Sequence, residues 1–182
     1  ASHNPYEDNG IKLFGGNGYK LADEFEEKIE SLIFSLNNGY LAQSKAIGRL
    51  RTLTTANSQY LAFLRSAGAC RDFNDLSIVL DCAHGATYQV APELFRRLGC
   101  NVVSLYCAPD GTNINEQCGS QHPEHLSRAV VTHGADVGLA FDGDGDRLIA
   151  VDEAGVVLSG DQILAICACD LKQSGALKNN VV

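Results

Sequence analysis

The sequence contains no methionine, and so no initiator residue. It opens on Ala1-Ser2-His3-Asn4-Pro5 and closes on Val181-Val182, which reads as a strand just beginning. The expectation is a segment of a longer polypeptide. No apolar run approaches the roughly 20 residues that a membrane-spanning helix needs, and no secretory leader is recognisable. Basic residues are scarce: 14 Lys and Arg, spread along the chain, stand against 22 Asp and Glu, leaving a net charge of −8. Nucleic acid and anionic membrane both select basic patches, so neither is expected as a partner, and a soluble, cytoplasmic protein is expected. Missing too is any Cys-x-x-Cys spacing. The cysteines, at 70, 82, 100, 107, 118, 167 and 169, are odd in number, and Cys167 and Cys169 are two apart on an expected helix, so they share no face. Reduced thiols acting as small core residues are expected rather than disulfides.

What is present is concentrated in one stretch. Asp142-Gly143-Asp144-Gly145-Asp146-Arg147 lies between two strand-like runs, Val137–Phe141 and residues 148–151. In extended chain alternate side chains point the same way, and the two glycines allow a bend that converges three carboxylates on one point. Such a cluster is costly unless a cation neutralises it, and an all-carboxylate donor set selects a hard ion, Mg²⁺ or Ca²⁺, over zinc. An EF-hand loop would take Asp142, Asp144, Asp146 and Glu153 at its acidic positions, but its sixth position must be glycine and is Arg147 here. Its flanks would also have to be helices. A solvated acidic turn is the plainer alternative, yet a turn needs only one or two such residues.

With 182 residues and 45% hydrophobic content, the chain can build one large domain, or one full domain with pieces of neighbours. Residues 1–20 read as a functional loop or a disordered terminus, with Gly10-Ile11-Lys12-Leu13-Phe14 as a short strand-like return. Gly15-Gly16-Asn17-Gly18 lacks the spacing of a phosphate cradle and reads as a turn. Leu21, Phe25, Ile29, Leu32, Ile33 and Leu36 recur at three and four, predicting an amphipathic helix with an acidic start, closed by Asn37-Asn38-Gly39. A polar connector over 43–55 and a helix over 58–67, ended by Gly68, follow.

Then comes an alternation: strand 76–81, helix 87–98, strand 101–106, helix 123–133, strand 136–141. It predicts an α/β fold, a three-layer arrangement of a mainly parallel or mixed sheet with helices on both faces. Ligands gather at the C-terminal strand edge of such sheets, where the acidic loop falls. The polar loop 108–121 either contacts substrate or a neighbouring domain or is a structural loop held by its asparagines. A hairpin at Glu153-Ala154-Gly155 leads into 156–158, and Asp161 can cap a further helix. His84, His122, His125 and His133 show no ligand spacing and read as structural.

Ser2-His3-Asn4-Pro5, Gly10-Ile11-Lys12 and the Asp142-to-Arg147 motif together resemble the signature of the α-D-phosphohexomutase superfamily. Ala1-Ser2-His3-Asn4-Pro5-Tyr6, Asp81-Cys82-Ala83-His84-Gly85-Ala86-Thr87-Tyr88 and Gly111-Thr112-Asn113-Ile114-Asn115 are most similar to its bacterial phosphoglucosamine mutase branch. The resemblance runs through nearly the whole chain but covers well under half of a family member. It implies that Ser2 is the phosphoserine, that Mg²⁺ is held by Asp142, Asp144, Asp146 and an oxygen on Ser2, and that Lys12 handles a proton at the reacting hydroxyl. His3 and Arg147 would line the same site. The implied reaction interconverts glucosamine 6-phosphate and glucosamine 1-phosphate through a sugar 1,6-bisphosphate, with glucose or mannose phosphates as same-class alternatives. The partner is thus a small phosphosugar, and a homodimer is compatible with the resemblance.

A phosphoserine near −2 and three aspartates against one Mg²⁺ would leave about −3, which Lys12, Arg147 and His3 would offset. Residues 1–48 would end the first family domain, 49–157 would form the second with the metal loop, and 158–182 would begin the third. The family's sugar- and phosphate-recognition loops lie beyond these, so the chain alone is expected to be inactive or nearly so. Two other classes compete: a cation-binding module without catalysis, and an aspartate-nucleophile phosphatase, whose Asp-x-Asp pattern is missing at Asp81-Cys82-Ala83.

Overall fold

The computed structural model describes residues 2–35, 42, 44–67 and 72–181. The expected helix end at Leu36 to Gly39, the stop at Gly68, Cys70 and the closing Val182 lie outside them. The chain forms two compact units, Gly10–Thr54 and Ala1–Asn9 with Thr55–Val182.

In the Gly10–Thr54 unit, the strand-like return over residues 10–14 does not form. Only a single bridge joins Phe14 to Lys20, across a turn in which Gly18 N–H donates to the Gly15 carbonyl at 2.9 Å. One pair leaves too few ladder bonds for a strand. Helix α1 (Asp23–Phe34) carries Asp23, Glu24 and Glu26 in its first turn, where the helix dipole favours negative charge. Its apolar stripe is exposed, with Phe25 56% and Ile33 56% accessible.

The larger unit holds α2 (Ala56–Ala67), β1 (Ser77–Asp81), α3 (Val90–Arg97), β2 (Asn101–Leu105), α4 (Glu124–His133), β3 (Val137–Phe141), β4 (Leu148–Asp152) and α5 (Gly160–Gln173). The sheet order is β2-β1-β3-β4, with β1 parallel to both neighbours and β4 antiparallel to β3. The sheet is therefore mixed, because the six residues between β3 and β4 are too few for a parallel crossover.

Strand alternation divides β1 between two apolar layers. Val79 packs with Leu126 and Val130 of α4 and with Ala140 and Val151, whereas Ile78 and Leu80 pack with Ala91 of α3 and with Cys82 and Cys100. Helices thus cover both faces. Cys82, Cys100 and Cys118 are buried free thiols, and burial pushes Cys118 up to about 12, which keeps it protonated and inert. Cys167 and Cys169 on α5 depart from the core role expected of them: both are exposed, because no residue of α5 is buried.

Two local expectations are corrected. The helix expected from residue 87 begins at Val90, after a separate 3-10 turn at Ala86–Tyr88. The α5 cap is Ser159 and not Asp161: Gln162 N–H donates to Ser159 Oγ at 3.2 Å while Ser159 N–H donates to Gln162 Oε1 at 2.8 Å. That reciprocal pair satisfies two orphan groups at once, and Asp161 falls inside the first turn.

Candidate metal centre and serine loop

Parallel strands β1 and β3 are neighbours, so the loops leaving their C-terminal ends meet. Ala86 N–H donates to the Gly143 carbonyl at 2.7 Å, and a β-carbon on Gly85 would collide with Gly143 backbone. This close approach sets the start of the acidic loop. Gly145, at φ +77°, then turns the chain back so that Asp142, Asp144 and Asp146 each present a carboxylate oxygen within 4.8 Å of the others.

Asp142 is the fixed member of the cluster. Its side chain is 1% exposed, and its Oδ1 accepts from Gly145 N–H and Arg147 N–H, each at 3.1 Å. Oδ2 faces the Ser2 hydroxyl, which hydrogen-bonds to it and lies 3.0 Å from Asp146 Oδ1. Arg147 Nε stands 4.0 Å from the same Oδ2. Burial raises the Asp142 carboxyl, but hydrogen bonds from Ser2 and the Arg147 N–H, together with the Asp146 contact, outweigh it and hold the group below the ordinary carboxylate value. Asp144 and Asp146 are exposed.

The donor set fits a hard divalent cation. Opposite ligands of an octahedral magnesium ion stand about 4.2 Å apart, given bond lengths near 2.1 Å. At most one pair of three ligands can be opposite and adjacent ones stand about 3.0 Å apart, so three oxygens within 4.8 Å of one another must draw inward to close on such an ion. Asp142 Oδ1 is committed to backbone N–H groups, which leaves Oδ2, beside Ser2, for the cation.

The structure brings together Ser2, Asp142, Asp144, Asp146 and Arg147. His3 is half-buried beside Ser2 in the chain, and its Nδ1 is buried without a hydrogen-bond partner. Lys12 is exposed and belongs to the Gly10–Thr54 unit. Of the histidines read as structural, His84 Nδ1 accepts from Ala108 N–H at 3.2 Å, and His125 Nδ1 shares a 2.9 Å bond with the Tyr106 hydroxyl.

Two residues of this region, Asp81 and Asn115, were not singled out by sequence reasoning as site-forming, and Gly143, expected only to let the acidic loop bend, has a further contact. Asp81, fully buried at the end of β1, accepts from Ala83 N–H and Gly119 N–H, both at 2.9 Å, and so ties two loops to the sheet edge. Gly143 donates its N–H to the Ser2 carbonyl at 2.6 Å. Asn115 donates from Nδ2 to the Ser2 and Asn4 carbonyls at 3.1 and 2.9 Å. Within the 108–121 loop, Asp110 and Asn113 bond each other's backbone, whereas Asn115 reaches away to the serine segment.

Comparison with known proteins places this geometry in a family. The family model for phosphoglucomutase/phosphomannomutase alpha/beta/alpha domain II matches residues 58–155, and that for domain I matches residues 1–39. A curated relative from Desulforudis audaxviator, named phosphoglucosamine mutase, is 51% identical over 183 residues, covering all of this chain and 40% of the relative. One of the same name from Syntrophus aciditrophicus is 52% identical over 186 residues, covering all of this chain and 41% of the relative. The chain thus spans about two fifths of the length of the curated relatives it matches. A crystal structure of a phosphoglucomutase/phosphomannomutase family protein from Burkholderia thailandensis superposes with TM-score 0.66 at 29% identity, over 95% of this chain and 37% of that one. With more than half of its residues matched by the domain II model, this chain belongs to the phosphoglucomutase/phosphomannomutase family.

Proposed function

We propose that this chain is the phosphoserine- and metal-binding part of a phosphosugar mutase that interconverts glucosamine 6-phosphate and glucosamine 1-phosphate. One observation carries the reading: the hydroxyl of Ser2 meets Asp142 and Asp146 across separations of 140 and 144 residues. A structural acidic turn has no use for a distant serine. The name that the relatives carry, phosphoglucosamine mutase, supports the amino-sugar substrate. The domain division proposed with it is 1–48, 49–157 and 158–182.

In this reading Asp142, Asp144, Asp146 and an oxygen on phosphorylated Ser2 hold Mg²⁺. When bound, the ion neutralises charge on the phosphoryl group as it moves. Ser2 presents the phosphoryl group to a hydroxyl of the sugar. The P–O bond to Ser2 Oγ breaks, the new bond to the sugar oxygen forms, and the hydroxyl proton, handled by Lys12, ends on Ser2 Oγ. The resulting 1,6-bisphosphate turns over in the site and returns its other phosphate to Ser2. Arg147, already within 4.0 Å of Asp142, offsets negative charge at the cluster, and His3 lines the site.

The test is made on the complete polypeptide that contains this chain. Mass spectrometry should find phosphate on Ser2, and that phosphate should exchange when glucosamine 1-phosphate is added, faster than with glucose or mannose phosphates. Asp144→Asn and Asp146→Asn should each lower Mg²⁺ affinity by tenfold or more, as loss of one of about four charged donors implies. A chain that binds Mg²⁺ but never carries phosphate on Ser2 would be a cation-binding module, and the mutase reading would fall.

A further inference from the structure

Asn115 touches neither the aspartates nor the reacting hydroxyl, yet it is built into the serine loop. Its backbone is left-handed, at φ 59°, a conformation that asparagine adopts more readily than most residues. Its N–H donates to the Ala83 carbonyl at 2.9 Å, and Ala83 in turn is tied to the fully buried Asp81. Asn115 therefore stands on the rigid edge of β1. From there its side-chain NH₂ spends both hydrogens on the serine segment, at the carbonyls of Ser2 and Asn4. The orientation is chemically fixed, because the flipped amide would set its oxygen against two carbonyl oxygens.

The geometry points to Asn115 as the positioning residue that holds Ser2 over the acid cluster, so that phosphate on Ser2 and a divalent cation bind as one unit. This rests on the phosphoserine reading above and adds a residue to it. The Ser2 carbonyl receives two donors, Gly143 N–H at 2.6 Å and Asn115 Nδ2 at 3.1 Å. The first ties Ser2 to the metal loop itself, and the second ties it to the sheet frame. With its carbonyl gripped from both directions, Ser2 keeps essentially its side-chain rotation, and Oγ is already aimed at Asp142. The side chain also has the right chemistry for this place. An amide offers two donors from one uncharged atom, whereas an ammonium or guanidinium here would compete with a cation for the carboxylates, and a hydroxyl would supply a single hydrogen.

The experiment uses the complete polypeptide that contains this chain, with phosphoserine installed at position 2 of the numbering used here. Mn²⁺ serves as the probe and is read by broadening of the ³¹P resonance. In the unsubstituted chain, near-stoichiometric Mn²⁺ should broaden the line. Asn115→Ala should raise the Mn²⁺ needed by roughly 10-fold, the loss a pair of modest hydrogen bonds represents. Asn115→Asp, an acceptor facing two carbonyls, should be worse, and Asn115→Gln should recover part of the effect. Mn²⁺ affinity of the unphosphorylated chain should hardly move, because the side-chain hydrogen bonds at issue go to Ser2 and Asn4 and not to the aspartates, and its metal-free melting temperature should fall by only a few degrees. Equal broadening in wild type and Asn115→Ala would overturn the assignment. So would an equal loss of Mn²⁺ affinity with and without phosphate, which marks a purely structural residue. Should the alanine chain fail to fold, Asn115→Ser, which keeps one donor, gives the same comparison. If the wild-type phosphate line ignores Mn²⁺ altogether, the shared-site reading of function fails, whatever Asn115 does.

Discussion

Replacing Gly143 with alanine tests the contact on which the site depends. The added β-carbon would stand 2.5 Å from the Ser2 carbonyl oxygen, 2.8 Å from Asn115 Nδ2 and 2.9 Å from Ile114 Cδ1. Gly143 is not among the positive-φ residues, so alanine meets no backbone strain and the effect is steric. The Ser2 carbonyl must retreat by about 0.5–1 Å to reach a tolerable separation. That movement breaks or stretches the bonds from Gly143 N–H and Asn115 Nδ2, at about 0.5–1.5 kcal/mol each, for a total of about 1–3 kcal/mol. At about 2–4 °C per kcal/mol for a chain of this size, the melting temperature should fall by about 2–12 °C. The loss is capped, because the serine segment can detach while the sheet stays folded. Function should suffer more than stability. A displacement of about 1 Å at a reacting group costs on the order of 100-fold in rate, so kcat of the complete polypeptide should drop by about that factor. Gly160→Ala is the control, since a β-carbon there meets nothing within 4 Å. Unchanged kcat in Gly143→Ala, or an equal drop in Gly160→Ala, would refute the steric argument.

The remaining predictions concern the frame around the site. Burial, opposed by the Ala83 and Gly119 N–H bonds, raises the Asp81 carboxyl above its ordinary 3.8. A carboxyl held above its unfolded value penalises the fold at neutral pH, and the penalty lifts as pH falls through the folded value toward 3.8. The stability of wild type relative to Asp81→Asn, from urea midpoints, should therefore rise over that window and level off below it; a flat or falling difference refutes the assignment. Ser159→Ala removes the capping box and should cost about 1 kcal/mol, with amide exchange accelerated in the first turn of α5 and unchanged in α4.

Much of the fold could be read from local pattern. The apolar runs of β1, β2 and β3 and the periodicity of α4 lie within a residue or two of where the sequence puts them, because each is decided by neighbours in the chain. The failures are where a local rule had a competitor. Gly10 to Phe14 looked strand-like but found one bridging partner, and Asp161 is a good cap residue that lost to Ser159 because Gln162 completes a reciprocal pair. In the site, the acidic loop announces itself by composition. The roles of Asn115 and of the Gly143 N–H toward Ser2, and the tie from Asp81 to Gly119, do not, because those partners stand 113, 141 and 38 positions away, and an asparagine in a polar loop looks like any other turn former.

The pairing of Ser2 with Asp142 also has a temporal side. Synthesis at about 5–20 residues per second means that the 140 positions between them take about 7–28 s to appear. Throughout that interval the serine has been made but its seat is incomplete, since Asn115 appears only late in it and the acidic loop with Gly143 only at its end. Any phosphate it acquires in that time must come from chemistry outside the chain, and the seat closes on it only afterwards.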